Sequence, residues 1–126
     1  MIAADTSSLV AYFEGVSGAD VDAIDRAARD SQLVLPPVVL TEILSDPGLP
    51  KSVRAAIAAL PMLDVLPGYW ERAGLLRASV LRRGRQARIA DALIAQCCLD
   101  HRLALITRDR DVRHVLSGFG LVLVGR

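Results

Sequence analysis

Several residue types are nearly missing from this chain, and each absence removes a class of function. It has two cysteines in 126 residues, the adjacent pair Cys97 and Cys98. Neighbouring cysteines with no third to pair with exclude a disulfide-stapled secreted scaffold and fit a reducing compartment. The only histidines, His101 and His114, fall at the ends of predicted helices. They read as surface residues there, too few for a zinc cluster and badly placed to serve a serine nucleophile. No apolar run approaches the ~18 residues that a membrane helix needs. The opening Met1-Ile2-Ala3-Ala4 meets Asp5 before the apolar region of a signal peptide can form. A soluble, cytoplasmic protein is expected, without membrane contact.

Apolar residues are plentiful, at 52% of the chain. That is enough for one ordinary core, so a single domain over 1–126 is expected. The net charge of +1 hides an asymmetry: residues 1–50 hold 2 basic and 8 acidic side chains, and residues 51–126 hold 13 and 6. The halves therefore carry −6 and +7, and a basic half is suited to a polyanion, although unrelated surfaces also produce such a split.

Short apolar runs alternate with longer helical patterns. Ile2–Ala4, Leu33–Leu35, Leu63–Leu66, Leu103–Ile106 and Leu121–Val124 read as five strands. Apolar spacings of three and four place helices near Ser8–Glu14, Ala19–Asp30, Val38–Ser45, Ser52–Leu60, Tyr69–Arg83, Ile89–His101 and Asp111–Leu116. Pro36-Pro37, Pro47, Pro50, Gly118 and Gly120 punctuate the boundaries. Strands alternating with helices predict an α/β fold with a mainly parallel sheet.

Four acids stand out against this pattern. Asp5 follows the first strand and Asp109 the fourth, which places both at the carboxyl edge of the sheet, where open α/β folds bind ligands. Each is also a good helix N-cap. Asp91 lies among apolar residues in RIADALIAQCC, and Glu42 sits between Leu40 and Ile43 in PPVVLTEILSD. Asp91 also suits the positive end of its helix, and Glu42 can be an ordinary solvated residue. Taken together they suggest more, because four carboxylates in one pocket repel and persist when divalent cations neutralise them. Oxygen donors without a His or Cys cluster favour Mg²⁺, or Mn²⁺, over Zn²⁺. Such a centre suits phosphodiester hydrolysis.

Here the residues carry a resemblance. DTSSLV at 5–10, LTEIL at 40–44, IADALIA at 89–95 and LITRDRDV at 105–112 resemble the successive motifs of PIN-domain ribonucleases, most nearly the VapC toxins of toxin–antitoxin pairs. The resemblance implies a three-layer sandwich around a parallel five-stranded sheet, and Mg²⁺-dependent RNA cleavage that leaves a 5′-phosphate and a 3′-hydroxyl. It further implies a cognate antitoxin, a homodimer, and an acidic site of Asp5, Glu42, Asp91 and Asp109 acting as catalytic residues and metal ligands. Thr6, Ser7 and Thr107 stand beside the acids, where their hydroxyls can orient water or phosphate, cap helices or satisfy backbone. Asp111 can assist Asp109 but is better read as the cap of the last helix.

Arginines flank the proposed acids. Arg82, Arg83, Arg85 and Arg88 precede the Asp91 helix, and Arg108, Arg110 and Arg113 surround Asp109. They can grip RNA phosphates, or form a solvated face. Tyr69 and Trp70 can stack on bases or pack in the core. Segment 43–60 carries apolar residues that, in VapC-like proteins, help form the antitoxin groove; from sequence alone it is equally a helical hairpin over the sheet. Other folds match less well. A receiver domain resembles a chain with an acidic pair after strand one and a lysine after strand five, whereas Lys51 is the only lysine here. A haloacid-dehalogenase-type phosphatase needs Asp-x-Asp where this chain has Asp5-Thr6-Ser7. A non-catalytic PIN-like module that binds RNA or protein remains the alternative from another class.

Overall fold

The computed structural model describes residues 1–124, apart from the side chain of Val115; Gly125 and Arg126 lie outside the described residues. Four short strands, β1 (Ile2–Ala4), β2 (Leu33–Val34), β3 (Leu105–Ile106) and β4 (Leu123–Val124), form one parallel sheet in the order β2-β1-β3-β4. The chain leaves β1 toward β2 on one side and later returns to lay β3 on the other. β1 and β3 thus flank the topological switch point of the sheet, the usual ligand crevice of an open α/β fold.

The predicted strand at 63–66 is corrected to a single bridge between Leu35 and Met62. Leu35 N–H donates to Pro61 O at 2.9 Å, and Leu63 N–H donates to Leu35 O at 2.9 Å. The ladder stops there because the next donor on each side falls at a proline: Pro37 beyond Leu35 and Pro61 before Met62 carry no N–H. The described sheet therefore has four strands, not five.

Among the described residues seven helices accompany the sheet: α1 (Thr6–Phe13), α2 (Ala19–Arg29), α3 (Pro37–Leu44), α4 (Lys51–Ala58), α5 (Tyr69–Arg82), α6 (Ile89–His101) and α7 (Arg110–Leu116), the last followed by a 3₁₀ turn. Pro37 sits at the first position of α3, where its fixed φ helps and its missing N–H costs nothing. The middle of the sheet is buried on both faces, as a parallel sheet between helices must be: Ala3, Ala4, Leu105 and Ile106 are wholly covered, while Leu123 and Val124 of the edge strand β4 are only partly so. Leu9, Ile24, Val39, Ile57, Val80, Ala95 and Cys98 close the core around them. Among the described residues no helix is long and apolar enough to cross a membrane. Both cysteines are free and buried, and desolvation pushes the Cys97 thiol up to about 11, which leaves it inert at neutral pH.

Candidate active site

Hydrogen bonding between β1 and β3 runs to the end of both strands, where Asp5 N–H donates to Ile106 O at 3.0 Å. The next side chains emerge at the carboxyl edge. Asp5 is 6% exposed and caps α1: its Oδ1 accepts from Ser8 N–H at 3.0 Å and from Ser7 Oγ at 2.8 Å. Its Oδ2 accepts from the buried Thr107 hydroxyl. Thr107 Oγ1 in turn accepts from Asp109 N–H at 3.1 Å. Asp109 caps α7, its Oδ1 accepting from Asp111 N–H at 2.9 Å and Val112 N–H at 3.3 Å. The capping readings of Asp5 and Asp109 are thus correct without removing either from the site, since a cap fixes a carboxylate at the sheet edge.

Two further acids reach the same place from helices. Glu42 projects from α3, and its Oε1 accepts from Thr6 Oγ1 at 2.6 Å. Asp91 lies in the first turn of α6. A cavity of about 30 Å³ is lined by Asp5, Thr6, Ser7, Glu42, Arg88, Asp91, Ile94 and Asp109. Four acids separated widely in sequence therefore meet in a space suited to one or two water-sized occupants.

Their electrostatics follow from that crowding. Burial raises the Asp5 carboxyl above its ordinary value, and the nearby Asp109 charge adds to this, against the lowering by Thr107, Ser8 and Ser7. Burial likewise raises Asp91, with Asp109 and Glu42 adding to it, while Arg88 pulls it down. Arg88 is the cation in the pocket: Nε lies 3.3 Å from Asp91 Oδ2 and Nη2 lies 3.6 Å from Asp109 Oδ2. The donor set consists of carboxylates and hydroxyls with excess negative charge, which suits a hard divalent cation. Among the described residues no three acidic, His or Cys side chains form a ready-made metal cage. Mg²⁺ does not require one, since it is commonly held through one or two carboxylates and keeps several waters.

Other candidates are placed differently. Asp111 does not line the pocket, and the cap of α7 is Asp109 rather than Asp111. Arg108 is tied to Asp20, with Nε at 2.7 Å and Nη2 at 3.1 Å from the two carboxylate oxygens. That fork joins the 107–109 loop to α2, so its first role is to fix the loop. Arg83 stacks over Phe119 at 4.3 Å, and Arg82 donates to Ser79 Oγ at 3.1 Å. Arg110 and Arg85 are exposed. Tyr69 and Trp70 part company: Tyr69 is 2% exposed and donates to Leu93 O at 2.6 Å, whereas Trp70 is 62% exposed. Sequence reasoning gave Asp20 no role, because an acid in the first turn of an amphipathic helix looks like any solvated dipole partner. It also placed Arg88 with the RNA-facing arginines rather than among the acids.

The PIN domain family model matches residues 2–116. This chain belongs to the PIN domain family. PIN-domain nucleases are in general hydrolytic nucleases, and they typically use divalent metal ions. Among solved structures, the PIN chain is similar to VapBC2 from Rickettsia felis bound to a DNA fragment from their promoter, at 18% identity and a TM-score of 0.76, covering 98% of this chain and 97% of that one. It is also similar to FitAcB from Neisseria gonorrhoeae, at 16% identity and a TM-score of 0.71, covering 98% and 96%. A third is VapBC-5, a member of the VapBC family of toxin–antitoxin systems from Mycobacterium tuberculosis, at 21% identity and a TM-score of 0.70, again covering 98% and 96%. These likenesses establish the PIN fold. Curated protein sequences give no match.

Proposed function

We propose that this PIN-domain protein is a Mg²⁺-dependent ribonuclease, the toxin of a toxin–antitoxin pair held in check by a cognate antitoxin. The observation that carries the reading is the meeting of Asp5, Glu42, Asp91 and Asp109 around one small cavity at the switch point of the sheet. When bound, a divalent ion supplies Lewis-acid stabilisation of phosphoryl charge and acidifies water. Asp5 and Asp91 would be its principal ligands, with Asp109 and Glu42 completing the acidic surround. Ser7, Ser8 N–H and Thr107 keep the Asp5 oxygens in fixed directions. Thr6 engages one oxygen of Glu42 and leaves the other for a proton taken from the attacking water. Arg88 and the exposed Arg85 and Arg110 stand ready for the phosphate backbone.

The antitoxin is part of the same proposal, supported by the likeness to VapBC-5, a member of a toxin–antitoxin family, and a homodimer is proposed with it from the sequence resemblance alone. α3, α4 and the turns that follow them present Leu44, 41% exposed, with Leu49, Val53 and Leu60 only partly covered, an apolar surface available to a partner segment.

The deciding experiment is cleavage of total RNA by wild type, Asp5→Asn and Asp91→Asn proteins, with Mg²⁺ and with chelator. Wild type should cut only with Mg²⁺, giving 5′-phosphate ends, and both variants should be silent. Persistent cutting by both would overturn the site. A wild type that binds RNA but cuts none would favour the non-catalytic module.

A further inference from the structure

Arg88 is the only cation lining the acid pocket among the described residues. It occupies the N-cap position of α6 but caps nothing there, since it makes no side-chain capping bond. Its guanidinium reaches back instead to Asp91 Oδ2 at 3.3 Å and across to Asp109 Oδ2 at 3.6 Å. One end of the fork is thus on α6 and the other on the cap of α7. The side chain is 75% exposed, so the two ion pairs rather than burial are what orient it. Fixing a long, exposed side chain costs rotamer entropy, and the attraction that offsets it comes from an acid pocket that has, among the described residues, no other positive group in its lining.

We infer that Arg88 is a resident counter-ion that competes with the divalent cation for Asp91 and Asp109 and, once displaced, passes to a phosphate of the RNA. The inference rests on the proposed metal-dependent site and adds its regulation. A +1 guanidinium and a +2 ion cannot share two carboxylate oxygens without repulsion, so loading the ion expels the guanidinium. Arginine binds phosphate by the same paired hydrogen bonds that it gives a carboxylate, and Arg88 already stands at the exposed mouth of the pocket. Each ligand therefore removes an obstacle to the other. Metal frees Arg88 for RNA, and RNA removes Arg88 from the metal's carboxylates, a reciprocal coupling. The free protein holds its ion loosely and fills the site when substrate arrives.

The test measures Mn²⁺ affinity by titration calorimetry and by the electron paramagnetic resonance signal of free Mn²⁺, without RNA. Arg88→Met should bind Mn²⁺ about three- to tenfold more tightly than wild type, and the gap should shrink as salt rises. Arg88→Lys, which keeps the charge, should stay near wild type. Arg85→Met, which removes a nearby arginine not paired with an acid, should move the affinity less. A short phosphorothioate RNA should tighten Mn²⁺ binding to wild type and do so much less for Arg88→Met. Equal or weaker Mn²⁺ binding by Arg88→Met overturns the counter-ion role, as would an Arg88→Lys protein that binds as tightly as Arg88→Met. Mn²⁺ binding that depends on Asp91 but ignores Arg88 defeats this inference and leaves the metal site standing. No Mn²⁺ binding by any of the proteins defeats both. The exposed position makes a folding failure of Arg88→Met unexpected, and circular dichroism checks it.

Discussion

Thr107 donates its hydroxyl hydrogen to Asp5 Oδ2 and accepts the Asp109 backbone N–H, so one buried hydroxyl joins two acids that stand 104 positions apart. The bond to Asp5 forms only because β1 and β3 are neighbours, whereas the bond from Asp109 is local to the 107–109 turn, and in this way the sheet order becomes a site geometry.

Thr107→Val keeps the shape and removes both bonds. Leaving a buried carboxylate oxygen and a backbone N–H short of partners should destabilise the fold by about 1–3 kcal/mol, measured by urea denaturation. Because the Thr107 bond lowers an Asp5 carboxyl already raised by burial, its loss should raise that carboxyl further and move the acid limb of RNA cleavage to higher pH. Thr107→Ser should restore both. An unchanged acid limb in Thr107→Val would show that Asp5 does not control it.

All seven helices were legible within a few residues, because amphipathic spacing and proline breaks are local signals. The strand at 63–66 was not. Leu63 and Val65 look like the alternation of a strand, but Val65 is 42% exposed and the pairing needs donors that Pro37 and Pro61 lack. The four acids were legible as a group only through the resemblance and the strand-end rule; each alone is an ordinary cap or helix residue. What sequence could not give is the partner of each arginine. Arg108 and Arg88 look alike in TRDRD and RIADA, yet one is committed to Asp20 and the other to the acid pocket, a matter of tertiary distance.

Asp20 and Arg108 give a pH prediction opposite in sign to that of a buried neutral acid. The Arg108 fork holds the Asp20 carboxyl down to about 2 from an ordinary 3.8. A lowered folded value means that the unfolded chain takes up the proton first, so this pair contributes fully above 3.8 and is lost as pH falls from 3.8 through about 2. Asp20→Asn should cost about 1–3 kcal/mol at neutral pH, reduced from a fully buried pair because Arg108 is partly solvated. Denaturation midpoints of variant and wild type should converge toward pH 2, within the window set by the Asp20 shift. A gap that persists undiminished there would assign the loss to packing.

The split of Tyr69 and Trp70 predicts unequal costs for neighbouring substitutions. Tyr69→Phe removes a bond from α5 to Leu93 O on α6, the helix that carries Asp91, and should destabilise by about 0.5–1.5 kcal/mol. Trp70→Ala on the exposed face should change stability by no more than about 0.5 kcal/mol, as surface substitutions usually do. Equal losses for the two would mean that Trp70 is covered in solution, and a change of mass in light scattering with Trp70→Ala would identify the cover as a second copy.

Asp91→Asn separates the cost of the acid from its use. In the metal-free protein Asp91 carries a burial penalty and repulsion from Asp109 and Glu42, against its attraction to Arg88. It also complements the start of α6, where a carboxylate is worth roughly 0.3–1 kcal/mol. These effects oppose one another, so Asp91→Asn should stay within about 1 kcal/mol of wild type without metal. Adding Mg²⁺ should then raise the melting temperature of wild type, because a ligand that binds only the folded state stabilises it, and should leave Asp91→Asn unmoved. Cleavage by the variant should fall by ~100-fold or more, at least the upper end of what losing an outer-shell partner costs. A variant that unfolds without metal would make Asp91 a structural residue of α6, and one that still gains melting temperature with Mg²⁺ would move the ion to another set of ligands.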